Sequence, residues 1–307
     1  MNEIRIFCPA TIANVSCGFD VLGLCLDNVG DEMVIRKTGN GKVTISRIEG
    51  QDLPLDPEKN VAGVAALAML KALGSVQGFD IDIYKKIKPG SGIGSSAASA
   101  AGAVFGINKL LGEPLSVKEL IPFAMEGEEL ASGALHADNV APALLGGFSL
   151  VRSYEPLDVV KLHTPGALYA SIIHPQIEVK TADARSVLKH SVPLKKAIQQ
   201  WGNVGGLVSG LYTEDYDLIA RSLHDGIIEP LRSLLIPRFM EVKEAALTAG
   251  ALGSGISGSG PSIFALSKGE DTAKKVAEAM AGVYADSDVA FDIHISGINP
   301  EGVRVLS

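Results

Sequence analysis

The chain has 307 residues, of which 47% are apolar and 20% charged, a balance that predicts a folded globular protein of about two domains. Its net charge is −8 with scattered lysines and arginines, which argues against nucleic acid or an anionic membrane as the main partner. Three cysteines without metal-ligand spacing, no basic-then-apolar leader and no run of membrane-spanning length predict a cytoplasmic protein with free buried thiols.

Alternating apolar and polar residues predict the strands of the first half of the chain. These strands are 3–8, 21–27, 32–37, 42–47 and 79–85, with a loop at 9–19. The turn at 38–41, Thr-Gly-Asn-Gly, is typical of a hairpin between the third and fourth strands. Asn60 is a predicted N-cap for a helix that ends near Leu73.

A glycine-rich segment, Lys88-Pro-Gly-Ser-Gly-Ile-Gly-Ser-Ser-Ala97, joins the strand at 79–85 to a helix rich in alanine. Backbone N–H groups of such a loop, with the positive end of the helix dipole, suit a polyphosphate. Ser95 and Ser96 are predicted to cap the helix and to offer hydroxyls to a phosphate or its metal. A turn that only reverses the chain is the alternative. The segment lacks the lysine of a Walker A loop and the dinucleotide fingerprint.

After the glycine-rich segment and its helix, further helices and strands are predicted on both sides of a domain boundary. A capping box at Ser116-Val-Lys-Glu119 begins a helix, and a short helix is predicted at 138–145. A change of composition at 153–156 predicts a boundary between domains 1–155 and 156–307. The later strands are predicted at 159–162, 167–173, 262–266 and 289–295. Because strands and helices do not alternate strictly, the predicted class is α+β with mostly antiparallel sheets.

The glycine-rich segment resembles the ATP loop of the GHMP small-molecule kinases, Pro-x-x-x-Gly-Leu-Gly-Ser-Ser-Ala. Here Ile93 replaces the usual leucine, and one residue fewer separates Pro89 from the glycine. The resemblance implies a ribosomal protein S5 domain 2-like N-terminal domain, a ferredoxin-like C-terminal domain and ATP binding. The residues it implies for ATP are Asn60, Pro89, Gly90, Ser91, Gly92, Ile93, Gly94, Ser95, Ser96 and Ala97.

The segment Pro9-Ala-Thr-Ile-Ala-Asn-Val-Ser-Cys-Gly-Phe-Asp20 resembles the signature of the homoserine kinase branch of that family. It departs at Val15-Ser16-Cys17, where the branch usually has Leu/Val-Gly-Pro/Val. Mevalonate and galactose kinases carry a basic residue in this motif, and none occurs here. Without the resemblance, Asp20 would be expected to cap a turn. With it, Asn14 and Asp20 are expected in the substrate site.

A third segment, Glu126 to Pro142, resembles the family pattern Gly-Glu-x-x-x-Ser-Gly-x-x-His-x-Asp-Asn-Val-Ala-Pro. The pattern selects Glu128 among three acids that otherwise suggest a solvated helix face. Carboxylate and hydroxyl oxygens suit Mg²⁺, so Glu128 and Ser96 are the expected metal ligands. His136 is expected to donate or accept a hydrogen bond with the substrate. A metal site at His136 itself is rejected because no second histidine has ligand spacing.

Two arginines lie in further matching motifs, Thr181-Ala-Asp-Ala-Arg185 and Glu229-Pro-Leu-Arg232. Taken alone, each arginine would be expected at the surface. In homoserine kinases the matching motifs bind the substrate, which implies substrate roles for Thr181, Arg185 and Arg232. The chemistry agrees, because a guanidinium binds a carboxylate bidentately and a carboxylate such as Asp20 accepts an ammonium.

The last motif, Gly253-Ser-Gly-Ile-Ser-Gly-Ser-Gly-Pro261, resembles the family segment that folds back against the phosphate loop. Together the motifs imply phosphorylation of the side-chain hydroxyl of L-homoserine by ATP, on the route to threonine. Asp20, Ser96 and Glu128 are the expected catalytic residues. No general base is assigned: Asp20 is a candidate by charge, and a base-free route with the proton passing to the γ-phosphate is the alternative. Another GHMP kinase activity and a non-catalytic nucleotide sensor are the alternatives. A homodimer is expected from the family.

Overall fold

The computed structural model describes residues 1–179, 181–189 and 191–306, apart from the side chains of Ser132, Thr181 and Ala182. The strands are β1 (Glu3–Ala13), β2 (Leu22–Thr38), β3 (Val43–Glu49), β4 (Gly78–Tyr84), β5 (Phe148–Tyr154), β6 (Leu157–Leu162), β7 (Leu168–Pro175), β8 (Gly253–Ile256), β9 (Ile263–Lys268), β10 (Phe291–Gly297) and β11 (Arg304–Leu306). The helices are α1 (Val61–Ala72), α2 (Ser95–Leu110), α3 (Ile121–Ser132), α4 (Val140–Leu145), α5 (Thr181–Ser186), α6 (Leu194–Thr213), α7 (Tyr216–Ser222), α8 (Glu229–Arg232), α9 (Phe239–Thr248) and α10 (Glu270–Ala285).

Seven strands form the larger sheet, in the order β11-β1-β2-β4-β3, with β5 paired to β2 and β6 paired to β5. The predicted strands at 21–27 and 32–37 are one continuous strand, β2, and β1 continues through residues predicted as a loop. The predicted hairpin at 38–41 is wrong. Strand β4 lies between β2 and β3, and β3 runs parallel to it. A turn sequence sets local chain direction, whereas burial of the apolar faces decides which strands pair.

The two sheets do not follow a simple division of the chain. Strand β6 pairs with β5 although it follows residue 155, and β11, near the end of the chain, pairs with β1. Both strands therefore belong to the larger sheet. The boundary between residues 155 and 156 stays a prediction, and the hydrogen bonding places these two later strands with the first part of the chain.

Helix α2 packs directly against β1 and β2, and its small residues make this close approach possible. A Cβ atom at Gly102 would lie 2.3 Å from Cys8 Sγ, and one at Gly106 would lie 2.6 Å from Ile35 Cδ1. Larger side chains would push the helix away from the sheet. The tight packing fixes the N-terminal end of α2, where the glycine-rich segment enters the helix.

The smaller sheet is antiparallel, in the order β10-β7-β9-β8. Successive residues of β7 point to opposite faces, as the pleat requires. Ile173 packs with α9 and α10, whereas Ile172 joins the core that includes the larger sheet. The turn between β8 and β9 lies against the glycine-rich loop that precedes α2. Within the described ranges, none of the helices has the length and apolar character needed to cross a membrane.

Candidate active site

A cavity of about 380 Å³ lies between the start of α2 and the loops of the smaller sheet. It brings together most of the residues predicted for the site, although they come from distant parts of the chain. Those that line it are Asn14, Asp20, Asn60, Pro89, Gly90, Gly92, Gly94, Ser95, Ser96, Glu128, His136, Arg185 and Arg232. Three others, Ser91, Ile93 and Ala97, are buried and do not line it. The side chain of Thr181 lies outside the described residues.

The glycine-rich loop has a conformation that side chains would strain. Gly90, Gly92 and Gly94 have φ values of 75°, 84° and 69°, the left-handed region that glycine adopts at little cost. A Cβ atom at Gly92 would lie 2.6 Å from the carbonyl oxygen of Gly260. The loop is therefore closely packed against the second glycine-rich turn, between β8 and β9.

That second turn holds the glycine-rich loop by two hydrogen bonds, as the resemblance implied. The hydroxyl of Ser257 donates to the carbonyl oxygen of Gly92 at 2.7 Å. The backbone N–H of Ser262 donates to the carbonyl oxygen of Ser91 at 3.2 Å. The buried Ser91 therefore anchors the loop through its backbone and does not present its side chain to the cavity.

The start of α2 differs from the prediction. Gly94 is the N-cap and brings no side chain to the first N–H groups, so the predicted caps from Ser95 and Ser96 are wrong. The hydroxyl of Ser95 instead donates to the carbonyl oxygen of Ile87 at 3.0 Å, and that of Ser96 donates to Glu128 Oε1 at 2.9 Å. At Asn60 the predicted cap is confirmed, since its Oδ1 accepts from the N–H of Ala62 at 3.0 Å.

Glu128 is a buried carboxyl group on α3, beside Ser96. Burial raises its pKa to about 7, although the hydrogen bond from Ser96 and the charge of Lys85 act in the opposite direction. Burial also raises the pKa of Asp138 to about 7, with smaller contributions from Asp20 and Glu128. Within the described ranges, no three His, Cys, Asp or Glu residues form a metal cluster. The oxygens of Ser96 and Glu128 are nevertheless the donor types that Mg²⁺ accepts alongside phosphate and water.

Charged side chains meet at the other end of the cavity. The carboxylate of Asp20 accepts two hydrogen bonds from Arg185 Nη2, at 2.9 and 3.1 Å. The same nitrogen lies 2.8 Å from His136 Nε2. Burial lowers the pKa of His136, which favours a neutral ring that accepts this hydrogen bond. The three residues thus form a connected group.

Arg232 supplies a second, more deeply buried cation. Its Nε donates to the carbonyl oxygen of Ala184 at 2.9 Å, and its Nη1 donates to that of Gly258 at 3.0 Å. The guanidinium lies 4.9 Å from the centre of the Phe19 ring, within the range of a cation–π contact. These contacts orient the group toward the cavity and leave part of its planar fork for a ligand.

The loop that carries Asp20 contains a strained turn. Asn14, Val15 and Ser16 have φ values of 71°, 40° and 61°, and Asp20 has 60°. The side chain of Asn14 holds the turn, because it donates to the carbonyl oxygen of Gly258 at 2.7 Å and accepts from the N–H of Asp20 at 3.0 Å. Ser16 occupies the position at which the related motif usually has glycine, so the departure from the motif falls on a left-handed residue.

Among the lining residues that sequence reasoning missed are two buried charged side chains, Lys85 and Asp138. Lys85 follows the last residue of β4 and resembles its exposed neighbours Lys86 and Lys88 in sequence. Asp138 lies within the third motif, where the available signal was its position between His136 and Asn139. Burial distinguishes both residues, and burial depends on tertiary packing.

Comparisons with known proteins agree with this geometry. Residues 60–147 match the GHMP kinases N terminal domain, and residues 207–286 match the GHMP kinases C terminal domain. Homoserine kinase from Chloroherpeton thalassium is 47% identical over 319 residues, which cover 100% of both chains. The crystal structure of homoserine kinase from Cytophaga hutchinsonii has a TM-score of 0.96 and 54% identity, and the match covers 100% of this chain and 98% of that chain.

More distant structures share the fold. Mevalonate kinase from L. major, solved in complex with R-mevalonate, has a TM-score of 0.68 at 16% identity, and the match covers 97% of this chain and 95% of that chain. Likeness at this level of identity concerns architecture alone. The two matched domains and the full-length similarity to homoserine kinases support a narrower conclusion. The chain belongs to the GHMP kinase family and, within it, to the homoserine kinases.

Proposed function

We propose that the protein transfers the γ-phosphoryl group of ATP to the side-chain hydroxyl of L-homoserine, which gives O-phospho-L-homoserine. One observation carries the proposal: a single cavity has the glycine-rich loop on one side and the group Asp20, Arg185 and Arg232 on the other. The first side suits a polyphosphate and the second suits a zwitterion. The names of the similar proteins support the same substrate.

The charged group selects an amino acid over other hydroxylated substrates. Arg185 and Arg232 would bind the α-carboxylate, and Asp20 would accept hydrogen bonds from the α-ammonium. In the structure Asp20 and Arg185 form an ion pair. A zwitterion can replace both partners, because its carboxylate can pair with Arg185 and its ammonium can pair with Asp20. Galactose has neither charged group, so it would pair with none of the three side chains. Mevalonate has no ammonium, so it would leave Asp20 without a ligand partner.

The nucleotide side combines backbone N–H groups with two side-chain oxygens. We infer that the loop from Pro89 to Gly94 and the start of α2 hold the phosphates. Ser96 and Glu128 would hold Mg²⁺, whose positive charge, when bound, offsets that of the phosphate oxygens. Glu128 must be ionised for this role. Its buried position keeps the carboxylate next to the Ser96 hydroxyl rather than in solvent.

The chain's own residues supply positioning and charge stabilisation rather than a dedicated base. Phosphoryl transfer requires little covalent help from the protein. The carboxylate of Asp20 already accepts two hydrogen bonds from Arg185, and ammonium binding would occupy it further. We therefore propose that the hydroxyl proton passes to the transferred phosphoryl group and that Asp20 binds substrate.

An ADP-release assay with a panel of acceptors tests the proposal. The full chain, ATP and Mg²⁺ are combined with homoserine, mevalonate, galactose or shikimate, and homoserine alone is expected to release ADP. Activity with another acceptor and none with homoserine would contradict the substrate. Binding of ATP, measured by calorimetry, without turnover of any acceptor would favour the alternative of a nucleotide sensor.

A further inference from the structure

The ammonium group of Lys85 is buried beneath the phosphate loop. Its side chain is 1% exposed, whereas that of Lys86, the next residue, is 63% exposed and pairs with Glu32. A buried ammonium group costs several kcal/mol unless acceptors surround it. The acceptors around Lys85 therefore show which parts of the structure its charge holds together.

All three protons of the Lys85 ammonium have an acceptor. The group forms an ion pair with Asp31 on β2. It also donates to the carbonyl oxygen of Ser95 at 2.8 Å and to the hydroxyl of Ser99 at 3.1 Å. Ser95 and Ser99 lie one turn apart at the start of α2. The side chain thus ties the sheet to the first turn of the helix that follows the phosphate loop.

Two further contacts hold the entry to the loop. The second oxygen of Asp31 accepts from the backbone N–H groups of Lys86 and Ile87, at 2.7 and 2.9 Å. The hydroxyl of Ser95 donates to the carbonyl oxygen of Ile87 at 3.0 Å. The contacts of Asp31, Lys85 and Ser95 therefore hold together residues 87 and 95, which are the two ends of the loop. The glycines between these residues form a short loop whose ends are fixed.

The ion pair of Lys85 and Asp31 has a fixed orientation relative to the cavity. Lys85 borders the cavity and Asp31 does not, so the positive end of the pair faces the space that the loop encloses. Ser96 and Glu128, the proposed metal ligands, border the same cavity as Lys85. A preorganised positive charge at such a site attracts anions without requiring the protein to rearrange.

We propose that Lys85 is a positioning residue for nucleotide binding: through Asp31, Ser95 and Ser99 it holds both ends of the phosphate loop and the first turn of α2 in the geometry that receives the phosphates. This assignment rests on the proposed kinase function. It concerns the nucleotide and not the amino acid, because the contacts of Lys85 lie on the loop side of the cavity.

The test compares neutral variants of the full chain. Lys85→Met alone leaves the buried charge of Asp31 unmatched and is expected to destabilise the fold, so the main variant is the double substitution Asp31→Asn with Lys85→Met. Asparagine keeps an oxygen for the N–H groups of Lys86 and Ile87. Lys86→Met is the matched control, since it removes the adjacent lysine charge at the surface. ADP affinity is measured by calorimetry without homoserine, and KM values are measured for ATP and homoserine.

In the double variant we expect the Kd for ADP and the KM for ATP to rise at least tenfold, with the KM for homoserine within twofold of the unmodified chain. The Lys86→Met control should change each value less than twofold. A folded double variant with unchanged ATP and ADP constants, or with an equal rise for homoserine, would overturn the proposal. If the double variant does not fold, Ser99→Ala decides. A KM for ATP at least doubled, with homoserine unchanged, supports the proposal, and an unchanged KM for ATP overturns it.

Failure of the kinase function itself is distinguishable. A chain that binds ADP but phosphorylates no homoserine contradicts the proposed substrate. In that case the ADP affinities of the variants still test the role of Lys85, because they are measured without homoserine.

Discussion

Ionisation of the buried Glu128 is expected to lower the free energy of unfolding, although the proposed metal site requires the ionised form. Its pKa rises from 4.5 to about 7 on folding because burial disfavours the charged form. A displacement of this size corresponds to about 3 kcal/mol, since each pKa step of one is worth about 1.4 kcal/mol. Because the pKa is higher in the folded state, the free energy of unfolding is largest below pH 4.5, where Glu128 is protonated in both states. It falls by about this amount as the pH rises to about 7.

Replacement of Glu128 by glutamine should therefore stabilise the ligand-free protein at pH 8. The amide stays neutral and can still accept the hydrogen bond from Ser96. At pH 8 the free energy of unfolding should exceed that of the unmodified chain by up to about 3 kcal/mol, and at pH 5 the difference should be much smaller. Because the variant lacks the proposed carboxylate ligand of the metal, kcat should fall about 100-fold or more. Chemical denaturation in EDTA at both pH values and the ADP-release assay measure the two effects.

Glu129→Gln is the matched control, because Glu129 is the next residue on α3 and is exposed. It should change neither stability nor kcat appreciably. The reasoning would be refuted if Glu128→Gln and Glu129→Gln had the same stability at both pH values, which would mean that burial does not penalise the Glu128 charge. Full turnover by Glu128→Gln would show that its carboxylate is not a metal ligand.

Three other measurements test separate parts of the site. Ser16→Gly should raise the free energy of unfolding by about 1 kcal/mol, because Ser16 has a φ of 61° and its buried hydroxyl has no hydrogen-bond partner among the described residues. An unchanged or lower denaturation midpoint would contradict this source of strain. Asp20→Asn should raise the KM for homoserine at least tenfold and leave kcat within a few-fold, whereas a large loss of kcat at saturating homoserine would identify Asp20 as a base. As the proposed metal ligand, Glu128 would have to lose its proton to bind Mg²⁺, so the apparent Kd for Mg²⁺ should rise by about tenfold for each pH unit below 7. Activity titrations with Mg²⁺ at pH 6, 7 and 8 would show no such trend if Glu128 were not a ligand.

Local signals predicted the segments that do not depend on distant partners. The N-cap at Asn60 and the glycine-rich loop before α2 are properties of a few consecutive residues, so they could be read directly from the sequence. Signals of the same kind failed where a distant element competed. The turn at 38–41 did not form a hairpin because β4 occupies the position between β2 and β3. The hydroxyl of Ser96 did not cap α2 because the helix begins one residue earlier, with Gly94 as the N-cap, and the hydroxyl donates to Glu128 instead.

By itself, the sequence determined the family, the order of the motifs and the residue types from which the site is built, because these are written in consecutive residues. Tertiary structure alone decided which of them meet. Asp20 and Arg185 lie 165 residues apart and become an ion pair only when the smaller sheet packs against the larger one. Lys85 and Lys86 are alike as residues, and only the packing of α2 against the sheet buries one ammonium and leaves the other in water. Burial and long-range contact depend on how all the elements pack together, and no short stretch of sequence contains that information.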